Sequence, residues 1–226
     1  MPLPAGVTWF SPTLPLHVFD ADLPGLTALV QAGIHGDEIA GVHALAELLE
    51  DELRPTHGRL IVVPVMNPPA YRARERKAPG GLDLNRCFPG DADGEREQRL
   101  ARRFMDLVLD ERPALVVTLH ESHKRYDPAV VPSFGQTIVY GVQPCPPIVD
   151  RTIAALNSQL ESEAERWAPQ HYPVATSSTE VIVEATGCVG LCIETYMGFP
   201  ERRRIDMQRT VVELLLADVG VRRVTR

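Results

Sequence analysis

Apolar residues run along this chain in two rhythms. Continuous runs at 26–34, 59–65, 114–120 and 189–194 read as buried strands, with shorter ones at 16–20, 136–141 and 180–184. Helical spacing marks 37–53 (Ile39, Val42, Leu45, Leu49), 95–110, 147–167 and 202–218 (Met207, Val211, Leu214, Leu215). Asp37 and Glu38 are expected in the first turn of the 37–53 helix, where the positive end of the helix favours carboxylates. Strands alternating with helices predict an α/β fold with a largely parallel sheet covered on both faces. In such sheets the active site gathers at the carboxyl ends of the strands. The 67–94 stretch is rich in Pro, Gly and charge and long for a connection, which suggests a binding loop.

At 226 residues, with 44% hydrophobic and 23% charged residues, the composition suits an ordinary globular protein, read as one domain over 1–226. The net charge of −7, with basic residues dispersed, gives no sign of a nucleic-acid or anionic-membrane surface. The N-terminus lacks the basic start and apolar core of a signal peptide. No apolar run approaches the ~18 residues of a membrane span. Cys87, Cys145, Cys188 and Cys192 form no C-x-x-C pair and are expected as thiols in a reducing cytoplasm.

The chemistry begins at His35-Gly36-Asp37-Glu38, where an apolar strand gives way to a helix. A His and a Glu three residues apart at such a junction can face one cation. His120 closes the strand at 114–120 and supplies a second imidazole. Two His and one carboxylate on rigid elements make the three-ligand set of a catalytic zinc site, with a fourth position for water. Zinc suits the N,N,O donors best; Mn, Co and Fe accept the same ligands. A non-haem iron oxygenase would need a jelly-roll-like β pattern that this helix-rich chain lacks. His17, His43, His57 and His171 stand without such company and read as structural. His123 is a neighbouring candidate, but strand geometry puts His120 at the rim, with Glu121 and His123 in the loop beyond.

A zinc hydrolase also needs a carboxylate to move the water's proton. Glu194 closes an apolar strand, where burial raises a carboxyl pKa, and is favoured over Glu180 and Glu184. The 67–94 loop offers Arg72, Arg74, Arg76 and Arg86 to steady an oxyanion, and Asn85-Arg86 makes a natural carboxylate clamp. Spacing alone does not apportion the arginines.

Asn67-Pro68, Arg76, Asp83-Leu84-Asn85-Arg86-Cys87-Phe88-Pro89-Gly90, Gly33 to Glu38 and Leu119-His120 together resemble the zinc carboxypeptidase superfamily, in its succinylglutamate desuccinylase/aspartoacylase branch. The resemblance implies a three-layer α/β/α sandwich around a mixed sheet. It implies one zinc on His35, Glu38 and His120, with Glu194 as catalytic glutamate and Arg76 polarising the scissile carbonyl. Asn85 and Arg86 would grip the substrate carboxylate, and Asp83 would orient His35. Aspartoacylases add a C-terminal β-rich domain, whereas here 32 residues follow Glu194, so a more open pocket is expected. A mobile tyrosine over the substrate has four candidates: Tyr126, Tyr140, Tyr172 and Tyr196.

The expected activity is therefore hydrolysis of an amide bond beside a free carboxylate. N-acyl amino acid deacylation leads, and carboxypeptidase action on short peptides is the alternative. The non-enzymatic alternative is a metal-bound binding protein of the same fold, which a fourth protein ligand such as His123 would favour.

Overall fold

The computed structural model describes residues 3–11, 14–160 and 162–223. In chain order it forms β1 (Gly6–Ser11), β2 (Leu14–Asp20), β3 (Thr27–Gln31), α1 (Ala40–Glu50), β4 (Leu53–Pro55) and β5 (Arg59–Val63). Then come α2 (Pro68–Ala73), α3 (Arg96–Glu111), β6 (Leu115–Ser122), β7 (Thr137–Tyr140) and α4 (Pro147–Asn157). The chain continues through β8 (Ala168–His171), α5 (Ser178–Thr186), β9 (Val189–Tyr196), α6 (Glu201–Ala217) and β10 (Val221–Arg223). An eight-stranded sheet runs β1-β2-β5-β3-β6-β9-β7-β8. Its centre, β5-β3-β6-β9, is parallel, while β2 and β7 join it antiparallel.

Apolar alternation along the parallel strands feeds two cores. Val30, Val62, Val117, Leu191 and Ile193 pack toward α1, α4 and α6. Leu29, Ile61, Val63 and Val116 pack toward α3 and α5. Each such fully buried side chain contributes ~1.5–3 kcal/mol of transfer free energy. The mixed three-layer α/β fold expected from the sequence is the fold observed.

Three elements differ from expectation. The first helix begins at Ala40, so Asp37 and Glu38 precede it and do not occupy its first turn. The N–H of Ala40 is capped from afar, by the Glu121 carboxylate at 2.8 Å. The helix expected over 147–167 stops at Asn157, whose side chain accepts from Trp167 N at 2.9 Å and donates to Trp167 O at 3.0 Å, turning the chain back into β8. The 180–184 strand is instead part of helix α5. The Ser177 hydroxyl accepts from Glu180 N at its start, and Gly187 at φ +71° ends it.

Candidate active site

The short path from β3 to α1 is shaped by a close approach. A Cβ on Gly36 would lie 2.0 Å from the Ala70 carbonyl carbon, so this loop sits directly on α2. Gly36 N donates to Glu75 O at 3.0 Å. Pinned there, His35 and Glu38 turn inward, 3% and 6% exposed. His35 Nδ1 lies 2.6 Å from one oxygen of Glu38, and His120 Nδ1 lies 2.7 Å from the other. The ligand atoms of His35, Glu38 and His120 all fall within 4.8 Å of one another. Two imidazole nitrogens converging on both oxygens of one buried carboxylate are the donors a zinc ion takes, and they fit it. Among the described residues the group does not include His123.

Strand periodicity sorts what surrounds these ligands. His120 belongs to β6, which runs on to Ser122, so Glu121 lies in the strand and not in the loop beyond it. Successive side chains of a strand point to opposite faces. On the α5 face, Thr118 bonds Thr179 and His120 joins the ligands. On the other face the Glu121 carboxylate, its side chain fully buried, caps α1 and pairs with Arg204 of α6. The Glu121 backbone N–H donates to Glu38 Oε2 at 3.2 Å, so the same residue steadies a ligand from behind. Gln208 of α6 donates to His120 O at 2.7 Å and to Thr195 Oγ1 at 3.0 Å. The apolar stripe of 202–218 puts Gln208 on the buried face, one turn from Val211, and a polar residue there was a signal to follow.

Glu194 sits in β9 opposite His120 in register. Its Oε2 is buried without a hydrogen-bond partner, and Cys192 Sγ lies 3.8 Å from Oε1. Burial first, then the neighbouring Glu38 charge, holds its pKa well above the usual carboxylate range. Burial opposes charge on His35, but Glu38 and Asp83 outweigh it and lift the pKa to about 9.

Arg76 donates to Asp83 Oδ2 through Nη2 at 2.9 Å and Nε at 3.1 Å. Its Nη1 stands 3.3 Å from His35 Nδ1 and 3.7 Å from Glu38 Oε1, a positive charge against the donor set. Asp83 Oδ1 is 3.3 Å from His35 Nε2, near enough to attract it although outside hydrogen-bond geometry. Asp83 also caps the short 3-10 turn Leu84–Arg86 by accepting from Asn85 N at 3.0 Å. Asn85 is 7% exposed, and its Oδ1 accepts from Ser178 N at 2.9 Å, tying that turn to α5. Arg86 is exposed, with Nη1 donating to Asn85 O.

These residues open onto a cavity of about 350 Å³, into which His35, Glu38, Arg76, Asn85, Arg86, His120 and Glu194 all face. The structure thus brings together every residue expected at the site except Asp83, which stands behind His35. Tyr140 and Tyr172 line the cavity; Tyr126 and Tyr196 are not among its lining residues. Arg72 and Arg74 are likewise absent from it. Among the described residues no helix is long and apolar enough to cross a membrane.

Residues 24–129 match the succinylglutamate desuccinylase/aspartoacylase catalytic domain family. The N-alpha-acetyl-L-2,4-diaminobutyric acid deacetylase of Halomonas elongata is 42% identical over 106 residues, 46% of this chain and 30% of that enzyme. The succinylglutamate desuccinylase of Burkholderia lata is 44% identical over 90 residues, 38% of this chain and 25% of that enzyme. The crystal structure of a succinylglutamate desuccinylase/aspartoacylase from Rhodobacter sphaeroides superposes with a TM-score of 0.68 at 27% identity, over 94% of this chain and 60% of that one. The cell shape determinant protein Csd4 of Helicobacter pylori has the same fold, with a TM-score of 0.79 at 19% identity over 94% of this chain and 56% of that one. The sequence matches therefore span less than a third of these curated relatives. The likeness read from the motifs holds, by sequence over residues 24–129 and by fold over nearly the whole chain.

Proposed function

We propose, for a chain that shares its fold and motif residues with the succinylglutamate desuccinylase/aspartoacylase branch of the zinc carboxypeptidase superfamily, that it hydrolyses an amide bond beside a free carboxylate. Deacylation of N-acyl amino acids is the favoured form, with residues 1–226 acting as one catalytic unit. The observation that carries this reading is the meeting of His35, Glu38 and His120 at one point, with Glu194 beside His120 on the next strand.

His35, Glu38 and His120 would hold one zinc, whose chemistry when bound is to acidify a water and polarise the amide carbonyl. Glu194 takes the water's proton and delivers it to the departing nitrogen. Its partnerless oxygen and raised pKa suit a group that must carry a proton between two partners. Arg76, anchored on Asp83, presents a cation to the developing oxyanion. Arg86 and Asn85 bind the carboxylate of the amino acid, and Asp83 holds His35 in orientation.

Deacylation is favoured over peptide cleavage because the relatives at 42% and 44% identity are named as a deacetylase and a desuccinylase. The likeness to Csd4, at 19% identity, speaks for the fold alone. The four cysteines, all free, agree with a cytoplasmic setting. The test is a panel of N-acyl amino acids and dipeptides, assayed with zinc and after chelation. Turnover of N-acyl amino acids that chelator abolishes and zinc restores is expected. Turnover of dipeptides alone would replace this reading with a carboxypeptidase. Stoichiometric metal without turnover of either would leave a binding protein.

A further inference from the structure

Two acidic side chains lining the cavity, Asp37 and Glu180, have no part in the chemistry above. Glu180 occupies the first turn of α5 and lines the cavity that holds the metal ligands. Its backbone N–H is satisfied by Ser177; among the described residues its carboxylate has no side-chain hydrogen bond or ion pair, and the charged groups that act on it are Glu184 and His171. The other acidic groups of the cavity wall are differently placed. Asp37, with one buried oxygen also unpartnered, lies between the ligands His35 and Glu38 in the chain, Glu38 faces two imidazoles, Glu121 is paired with Arg204, and Glu194 stands beside His120.

The carboxylate of Glu180 is seated against Gly141, the residue just past β7. A Cβ built on Gly141 would lie 1.9 Å from Glu180 Oε2 and 2.5 Å from Oε1, so only a glycine lets the carboxylate lie there. Gly141 follows β7, where Val139 pairs with Cys192 and Tyr140 with Leu191. Val139, Cys192 and Glu194 also line the cavity, which therefore runs down one face of the sheet from Glu194 toward Gly141. Four residues of strand separate the two levels, ~13 Å at ~3.3 Å per residue. Half-buried Glu180 lies toward the Gly141 end of this slot, whose lining also includes Tyr172 and Phe134.

The start of α5 is tied to the carboxylate clamp, since Ser178 N donates to Asn85 Oδ1 and Thr179 meets Thr118 of β6. The clamp residues Asn85 and Arg86 therefore share one cavity with Glu180, two residues along α5 from the Ser178 N–H that Asn85 accepts from. An unpaired carboxylate at the end of an aromatic-walled slot recognises a cation. We propose that Glu180 is a specificity-determining residue that receives the ammonium or guanidinium group of a basic amino acid, so that the amino acid released from the amide carries a long cationic side chain. The release of that amino acid from an amide rests on the hydrolase reading, but binding of the free basic amino acid stands without it.

Two measurements keep the two ideas apart. The first is calorimetric binding of L-lysine, L-arginine, L-norleucine and L-glutamate to the zinc-loaded protein. The basic amino acids should bind about tenfold or more tightly than norleucine, the margin of a charge-assisted hydrogen bond, and Glu180→Gln should remove that margin. The second is kcat/KM for Nα-acetyl-L-lysine against Nα-acetyl-L-norleucine. The ratio should favour lysine and fall about tenfold or more in Glu180→Gln, while Glu180→Asp, which keeps the charge, should retain more of it. Preference of the unaltered protein for norleucine or glutamate overturns the proposal. So does a variant that weakens all ligands equally, which is the mark of a structural role. Basic amino acids bound through Glu180 without turnover of any amide would sustain this proposal and defeat the hydrolase reading.

Discussion

His120 and Glu194 stand directly opposite one another where β6 and β9 pair in parallel. That register fixes an imidazole of the ligand set beside a carboxylate that has one buried oxygen free. Neither side chain depends on a mobile loop for its place. Both belong to eight-residue strands at the centre of the sheet, with Gln208 of α6 bracing His120 O and Thr195 together.

From this placement, Glu194→Gln should keep its zinc and its fold while kcat falls ~10²–10⁴-fold, the range that a positioned general base supplies. Metal analysis and steady-state kinetics on the same preparation check it. Full activity with normal metal content would remove Glu194 from the reaction.

Chelation should act on stability as well as on turnover. Three buried ligands left facing each other without a cation lose a bound partner, and anything that binds only the folded state stabilises it in proportion to its saturation. The thermal midpoint should drop by several degrees with chelator and return with zinc. An unchanged midpoint with no metal in the purified protein would argue against a zinc site.

Much of this was legible in the sequence, and the exceptions share a cause. The His35, Glu38 and His120 set was readable because each residue ends or follows an apolar run, and a strand end fixes where a side chain emerges. The true start of α1 was not, because its cap is Glu121, 81 residues away from Ala40, and local rules see only Asp37 and Glu38. The 180–184 stretch, Glu-Val-Ile-Val-Glu, reads as strand by composition. The stronger signal was Ser177-Ser178-Thr179-Glu180, a capping pattern ahead of an apolar run. That helix is what places the Glu180 carboxylate against Gly141.

Asp83 links two parts of the site, with one oxygen toward His35 and the other held by Arg76. Asp83→Asn should therefore weaken zinc binding about 10–100-fold, as loss of a ligand's orienting partner does. It should also lower kcat/KM at saturating zinc, because Arg76 loses its ionic anchor. Competitive zinc titration and kinetics at saturating metal separate the two effects, and a variant normal in both would make Asp83 a structural cap of the 84–86 turn alone.

The pair Arg204 and Glu121 tests how the sheet and the two helices behind it are joined. Side-chain exposures of 12% and 0% make it a buried ion pair. Removing one partner strands a charge, so Arg204→Ala should cost about 3–5 kcal/mol in chemical denaturation. Arg204→Met with Glu121→Gln, which leaves no buried charge, should recover part of that loss. Equal destabilisation in the single and double variants would show that packing, not charge, is what Arg204 supplies.

On the outer surface, Glu47 of α1 accepts from Arg202 and Arg209 of α6. The Arg202 hydrogen bond is the leading influence and, against a smaller opposing effect of burial, holds the Glu47 pKa down to about 2. The folded-state value lies below the unfolded one, so the stability this carboxylate adds is present above the ordinary pKa of about 4.3 and is lost as pH falls toward 2. Wild type and Glu47→Gln should accordingly differ in denaturant midpoint at pH 6 and converge on acidification. Raised salt should shrink the difference at pH 6, because the group is only partly shielded from solvent. A gap between the two proteins that persists unchanged down to pH 2 would mean that Glu47 acts through packing of α1 on α6 and not through its charge.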